Sequence, residues 1–178
     1  MRLCVCLLFT AVSPLVMAQQ PVATQPDGLG KLAWMRGDWS GHQDFNMQGG
    51  PAMVGAATDR IDMGIAGRYL CEMLSTTLPG RKPTDTRHFI SYDLKTNLYS
   101  AWWFNDTSIR PMELSGELTG NKLVLTSNPA AAGPLLRATY ENPPDGTLTF
   151  LLEMKTGESW TKLFLTTYTK KAAAAATP

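Results

Sequence analysis

The residue types that most often carry chemistry are scarce in this sequence. It contains two histidines, His42 and His88, which are far apart and have no His or Cys close by. A metal site needs several ligands that converge at recognisable spacing. No such spacing is present, so we predict no metal site and no cofactor, and we expect both histidines to be surface or packing residues.

Motifs for catalysis are also missing. No serine lies in a Gly-x-Ser-x-Gly turn, and the sequence has neither a phosphate-binding glycine loop nor a dinucleotide fingerprint. Glu113 and Glu117 share one face of a predicted strand, but paired carboxylates on an exposed face are usually just solvated. We therefore predict no catalytic residues and rank an enzyme as the least favoured class. A deep pocket joining His88 to a carboxylate would reopen that possibility.

Aromatic residues are concentrated in one stretch, from Tyr92 to Phe104. Trp102 and Trp103 are adjacent, so on a strand they point to opposite faces and one of them can line an interior. Inward aromatic side chains with a few polar groups are typical of small-molecule cavities. A filled core with no room for a ligand fits the same pattern equally well.

Two arginines are the polar residues that best fit a ligand site. Arg68 and Arg137 each lie in a predicted strand between apolar neighbours. A buried arginine needs a partner, and a carboxylate or phosphate head group of a ligand would supply one. The period of two also allows both side chains to face outward. The predicted ligand contacts are Arg68, Tyr92, Trp102 and Arg137.

These side chains would be positioned by strands throughout the chain. Ten segments have the length and the apolar/polar alternation of strands, and Gly, Asn, Asp and Pro separate many of them, as tight hairpins require. The predicted strands are Asp38–Met47, Met53–Ile61, Arg68–Leu78, Arg87–Asp93, Leu98–Asn105, Met112–Leu118, Lys122–Ser127, Leu135–Glu141, Thr147–Lys155 and Ser159–Thr169.

A short lead-in precedes the first strand. Leu29, Leu32 and Ala33 fall at helical spacing, so a turn of helix can plug a hydrophobic opening. Gly37 then ends the helix, because glycine accepts a left-handed backbone at little cost. Trp39 is the first large side chain after that break, and we predict that it anchors the start of the sheet.

Consecutive hairpins with one apolar face can stack as a sandwich or close as a barrel. Closure removes the exposed edges that a long meander would offer to other chains. We predict an all-β fold, an antiparallel up-and-down β-barrel of about ten strands with a short N-terminal helix.

Several short motifs follow one another in a recognisable order along the mature chain. They are Leu32-x-x-Met35-x-Gly37-x-Trp39-x-Gly41, Gly67-Arg68-Tyr69-Leu70, Ser91-Tyr92-Asp93, Trp102-Trp103 and Tyr168-Thr169-Lys170. In this order the chain resembles the calycin group of lipocalin-like barrels, and within it the exported bacterial family known as domain of unknown function 1579. The resemblance implies a cavity for a small apolar molecule. It also implies a basic side chain from the last strand over Trp39, for which Lys162 and Lys170 are the candidates.

The N-terminus has the pattern of a cleaved export signal. A positive start and a short apolar run lead to Val16-Met17-Ala18, a site that signal peptidase accepts before Gln19. We therefore expect a periplasmic or secreted protein. Its mature form keeps Cys71 alone and has no internal disulfide. The predicted organisation is a signal peptide (1–18), a flexible leader (19–28), a barrel domain (29–170) and a disordered tail (171–178).

Composition narrows the choice of partner. The 178 residues carry a formal net charge of +1, and only 17% of them are charged, so no basic field points to nucleic acid. The signal's apolar run is too short to span a membrane. We predict an exported barrel that binds a small apolar or amphipathic molecule in its lumen. The alternative is a packed barrel that acts as a structural or protein-interaction module, and the oligomeric state stays open.

Overall fold

The computed structural model describes residues 27–46, 50–106, 108–128 and 133–172. The predicted signal peptide (1–18) lies outside these residues, as do nearly all of the leader (19–28) and most of the tail (171–178). A short helix, α1 (Asp27–Gly30), and a 3-10 turn (Ala33–Met35) come first. The strands are β1 (Gly37–Phe45), β2 (Met53–Gly64), β3 (Tyr69–Thr77), β4 (Thr84–Asp93), β5 (Leu98–Asn105), β6 (Met112–Thr119), β7 (Lys122–Ser127), β8 (Leu136–Glu141), β9 (Leu148–Thr156) and β10 (Ser159–Lys170).

The strands form one closed barrel. Each strand pairs antiparallel with the next in sequence, and β10 pairs with β1 to complete the ring. This confirms the predicted up-and-down barrel, and each strand end lies within about three residues of its predicted place. Short hairpin connections favour this order, and closure leaves no strand edge unpaired.

Every second side chain along a strand points into the barrel, and these side chains fill the lumen. In β2, the buried residues Ala57, Asp59 and Ile61 alternate with exposed ones. In β9, the same period buries Leu148 and Phe150. Because successive side chains of a strand point to opposite faces, these inward rows from all ten strands meet in a single core.

The lead-in closes one end of the barrel. Leu32, Met35 and Trp39 are buried there, and the Trp39 indole N–H donates a 2.8 Å hydrogen bond to the Met35 carbonyl. Gly37 between them has a φ of +143°, a conformation that favours glycine. Lys170 of β10 lies with its Nζ 5.3 Å from the centre of the Trp39 ring. Among the two basic residues suggested for this contact, Lys170 is the one that makes it.

Glycine has a second role where β1 approaches β10. A Cβ atom on Gly41 would lie 1.9 Å from the Thr167 carbonyl oxygen, so a larger residue would push the two strands apart. In the part of the chain that the structure describes, no helix is long and apolar enough to cross a membrane.

Candidate functional site

The lumen holds a polar layer halfway along the barrel. Four inward pairs between β3 and β4 mark the levels from the helix-capped end to the opposite end, and only the second pair is ionisable. They are Leu70–Ile90, Glu72–His88, Leu74–Thr86 and Thr76–Thr84. Further inward polar residues come from β2, β8 and β10. We define the polar layer as Asp59, Glu72, His88, Tyr140 and Tyr168.

Short hydrogen bonds connect the centre of this layer. His88 Nδ1 lies 2.5 Å from Glu72 Oε2, and the Tyr140 hydroxyl lies 2.6 Å from the same oxygen. The hydroxyl is also 2.7 Å from His88 Nδ1. Glu72 is 1% exposed and His88 4% exposed, so both are shielded from water. Buried polar groups need such partners, because leaving one unpaired costs about 1–3 kcal/mol.

Asp59 is the least satisfied member of the layer. It is 4% exposed, and neither of its carboxyl oxygens accepts a hydrogen bond from a donor among the described residues. Burial first, and then the charge of Glu72 and a side-chain hydrogen bond with Glu72, raise the pKa of Asp59 to about 10. We infer that Asp59 is protonated at neutral pH and donates to Glu72.

Burial also shifts the other two ionisable groups. It raises the pKa of Glu72 to about 7, while hydrogen bonds from Asp59 and Tyr140 act in the opposite direction. It lowers the pKa of His88 to about 3, so His88 is neutral. Because Glu72 Oε2 is the acceptor, the His88 proton belongs on Nδ1, and Nε2 is left as a bare acceptor. Nε2 has no partner among the described residues.

This arrangement holds a histidine beside a carboxylate, but not in a deep pocket. The cavity lined by His88, Tyr140 and Phe150 has a volume of about 10 Å³, room for about one water molecule. Within the described ranges, no three His, Cys, Asp or Glu side chains are grouped so as to hold a metal ion. The layer thus links strands across a closely packed part of the lumen.

Trp103 separates this small cavity from a much larger one. The larger cavity has a volume of about 320 Å³ and lies at the end of the barrel opposite the helix; we call it the mouth cleft. Trp103 lines both cavities. The apolar walls of the mouth cleft come from β1, β3, β6, β9 and β10 and from the residue after β3. They are Phe45, Leu74, Leu78, Met112, Leu152 and Phe164.

The rim of the mouth cleft is basic. Arg81 and Lys82, in the loop between β3 and β4, line it, and both are exposed. The ion pairs found among the described residues involve neither of them. Deeper in the cleft, Gln43 donates a 3.2 Å hydrogen bond to Thr166 Oγ1. The cleft therefore combines apolar walls, the amides of Gln43 and Asn105, three threonine side chains and two exposed positive charges.

The two arginines predicted as ligand contacts do not reach the lumen. Arg68 is exposed in the turn before β3, where its backbone N–H donates to the Ile65 carbonyl. Arg137 points outward from β8, donates to Glu153 at 2.7 Å and lies 4.3 Å from the Trp160 ring centre. The turn takes Arg68 out of the strand, and alternation with inward Leu136 fixes the outward face for Arg137. A role in ligand binding stays a prediction for both.

The two predicted aromatic contacts also lie away from the mouth cleft. Tyr92 packs at the helix-capped end, 4.9 Å from Tyr99 between ring centres. Trp102 faces outward and lines a recess of about 350 Å³ on β5, β6 and β7 together with Glu113. Trp103 takes the inward position of the tryptophan pair. These positions do not test whether Tyr92 or Trp102 contacts a ligand, so both contacts stay predictions.

Sequence reasoning missed the carboxyl groups of the polar layer. A signal was available for Glu72, because it alternates with Leu70 and Leu74, and all three therefore share one face of β3. Asp59 alternates in the same way with Ala57 and Ile61 in β2. Nothing in the sequence indicated that these two carboxyl groups lie near Tyr140, because β8 is far along the chain and pairs with neither β2 nor β3.

Comparisons with known proteins agree with this architecture. The crystal structure of Rv2717c from M. tuberculosis is similar with a TM-score of 0.64 and 14% identity, over 83% of this chain and 99% of that one. At that identity the likeness shows the fold alone. No curated protein sequence matches the chain. The family described as protein of unknown function (DUF1579) matches residues 30–170. The chain therefore belongs to the DUF1579 family.

Proposed function

We propose that this protein binds a small amphipathic anion in the mouth cleft, with the apolar part inside and the acidic head at the rim. One observation carries the proposal: an apolar-walled cavity of about 320 Å³ bordered by two exposed basic residues, Arg81 and Lys82. Ligand pockets in proteins typically span about 300–1,000 Å³. The volume is at the lower end of that range, so the ligand is small.

The walls supply the affinity for the apolar part. Leu74 and Leu152 are buried side chains of the lumen, and Phe45 stacks on Phe164 with 6.3 Å between ring centres. Each methylene that leaves water for such a surface contributes about 0.8 kcal/mol. A short hydrocarbon chain therefore gains several kcal/mol of transfer free energy by entering the cleft.

The rim charges supply the preference for an anion. Arginine presents a planar fork of donors that matches a carboxylate or phosphate, and lysine adds a mobile point charge. In this proposal the acidic head meets Arg81 and Lys82, whereas the sequence pointed to Arg68 and Arg137 as the basic contacts. Because both charges are exposed, we expect them to contribute modestly to the binding free energy, and this contribution should weaken as the salt concentration increases.

Titration calorimetry with octanoate and with octanol tests the proposal directly. The two ligands share a chain and differ in charge, so the native protein should bind octanoate more tightly. The double variant Arg81→Gln/Lys82→Gln should lose about threefold to tenfold in octanoate affinity and little for octanol. The double variant Arg60→Gln/Lys95→Gln, which removes two exposed positive charges outside the cleft, is the matched control. Absence of binding of either ligand to the native protein would contradict the proposal.

Export is part of the same proposal, because a periplasmic or secreted protein meets its ligand outside the cytoplasm. Its support is the signal-like pattern of residues 1–18. Native mass spectrometry of the exported protein, compared with the denatured sample, adds a second test. A mass excess that disappears on denaturation would reveal a ligand carried from the host.

A second candidate function is an interaction module, favoured by an aromatic patch on the outer face of β3, β4 and β5. Tyr69 lies 6.1 Å from Trp102 and 6.5 Å from Phe89, and Phe89 lies 5.8 Å from Phe104, measured between ring centres. Phe104 is exposed and the other three are half-buried, and contiguous apolar surface of this kind often marks a contact site. Sedimentation velocity over a range of concentrations tests self-association through the patch. A native monomer at every concentration would exclude self-association as the role of the patch.

A further inference from the structure

We propose that Trp103 is the floor of the mouth cleft and sets the maximum chain length of the ligand. The inference rests on the proposed function, since it concerns the ligand that the cleft would hold. Trp103 is 8% exposed and lines both the cavity of about 320 Å³ above it and the cavity of about 10 Å³ below it. The indole therefore lies between the mouth cleft and the small space next to the polar layer.

The indole is held in place from below. The ring centres of Trp103 and His88 are 4.3 Å apart at an interplanar angle of 83°, an edge-to-face contact. Phe150 supports the indole from another wall, with 5.5 Å between ring centres. His88 is itself fixed by Glu72 and Tyr140. Packed aromatic contacts of this kind restrict the indole to one position.

The residues beneath Trp103 limit the length of the ligand chain by their polarity as well as by the lack of space. The polar layer begins directly beneath Trp103, and its carboxyl groups and histidine are already buried. An apolar chain that passed the indole would have to displace hydrogen bonds around Glu72, and these would not be replaced. Trp103 therefore keeps an apolar tail away from buried polar groups.

A chain-length series measures the floor. Calorimetry with hexanoate, octanoate, decanoate, dodecanoate and hexadecanoate should show native affinity rising by about fourfold for each further methylene that is buried. The rise should stop when the tail reaches Trp103. In Trp103→Leu, which removes the indole, the rise should continue over the further methylenes that fit in the vacated space and then stop at the polar layer.

The tryptophan of β10 provides a matched control. Trp160→Leu makes the same chemical change on the outer face of the barrel, beside Arg137, and should leave the native break in the series unchanged. An unchanged break in a folded Trp103→Leu protein would overturn the inference. Circular dichroism and thermal unfolding establish whether each variant is folded.

If Trp103→Leu does not fold, the milder variant Trp103→Phe still tests the inference. A bromine on the terminal carbon of the longest chain that still gains affinity should quench the fluorescence of the tryptophan it touches. The quenching should persist in Trp160→Phe and disappear in Trp103→Phe. Quenching that survives in Trp103→Phe would show that the tail ends elsewhere. If the native protein binds no member of the series, the proposed function itself fails, and the inference falls with it.

Discussion

Tyr140 and Glu72 lie on opposite walls of the barrel, and the Tyr140 hydroxyl donates a 2.6 Å hydrogen bond to Glu72 Oε2 across the lumen. Five strand steps separate β8 from β3 in either direction around the ring. The contact therefore links two strands, β3 and β8, that do not pair with each other through the backbone. It also closes the lumen beneath the mouth cleft.

Removing the Tyr140 hydroxyl should destabilise the protein. Tyr140→Phe keeps the ring and its stacking on Phe150, at 4.5 Å between centres, but deprives Glu72 of a donor. We expect a loss of about 1–3 kcal/mol in the free energy of unfolding, because the carboxylate stays buried with one partner fewer. Urea denaturation measures it. Tyr69→Phe, on the outer face, is the control, and equal losses in both variants would contradict a special role for the cross-lumen bond.

Asp59 should make stability fall as pH rises. The folded protein keeps this proton up to pH about 10, whereas the unfolded chain releases it near the ordinary value of 3.8. Between these limits the folded state binds one proton more, so the free energy of unfolding decreases by about 1.4 kcal/mol per pH unit. Glu72, with its pKa raised to about 7, acts in the same direction at lower pH. His88, with its pKa lowered to about 3, opposes it below its ordinary 6.5.

From about pH 8 to about pH 9.5 Glu72 and His88 no longer change. Burial raises the pKa values of Cys71, Tyr140 and Tyr168, and their contributions to the slope are present in both the native protein and Asp59→Asn, so the difference between the two slopes reports Asp59. Asp59→Asn should remove this part of the slope in urea denaturation and should be more stable than the native protein at the alkaline end. Asp62→Asn is the matched control, because Asp62 is exposed and paired with Arg36 at 2.8 Å. An identical slope in native protein and Asp59→Asn would show that Asp59 is ionised when folded.

The helix-capped end should depend on the Trp39 indole. Trp39→Phe removes the N–H that reaches the Met35 carbonyl and the ring surface under Lys170. We expect a loss of about 2–4 kcal/mol, from the unpaired carbonyl and the smaller buried ring. Thermal unfolding measures the change. Trp160→Phe, on the outer face beside Arg137, should cost much less, and a similar cost in both would contradict an anchoring role.

Export should yield a chain that begins at Gln19. The pattern Val16-Met17-Ala18 places the cleavage after Ala18, and removal of residues 1–18 takes Cys4 and Cys6 away. Intact-mass measurement of the protein recovered from the periplasm or medium gives the first residue. Thiol labelling of the denatured protein should then count one cysteine, Cys71. A full-length chain confined to the cytoplasm would contradict export.

Much of the fold could be predicted because it depends on local signals. The alternation in β9 and the glycines and asparagines of the hairpins fixed the strands, and their number and order left closure as the favoured solution. The site could not be predicted in the same way. A strand's period of two defines two faces but does not say which one is inside. Trp102 was therefore predicted as a ligand contact, whereas Trp103 faces the lumen.

The sequence by itself determined ten strands, a Gly37-x-Trp39 lead-in and a family, because turn residues and periodicity act over short distances. Only the tertiary structure decided that Asp59, Glu72, His88 and Tyr140 form one buried layer and that Arg81 and Lys82 border the cleft above it. These residues come from separate strands and a loop. Their juxtaposition depends on barrel closure and strand register, which bring together side chains as far apart in the chain as Glu72 and Tyr140.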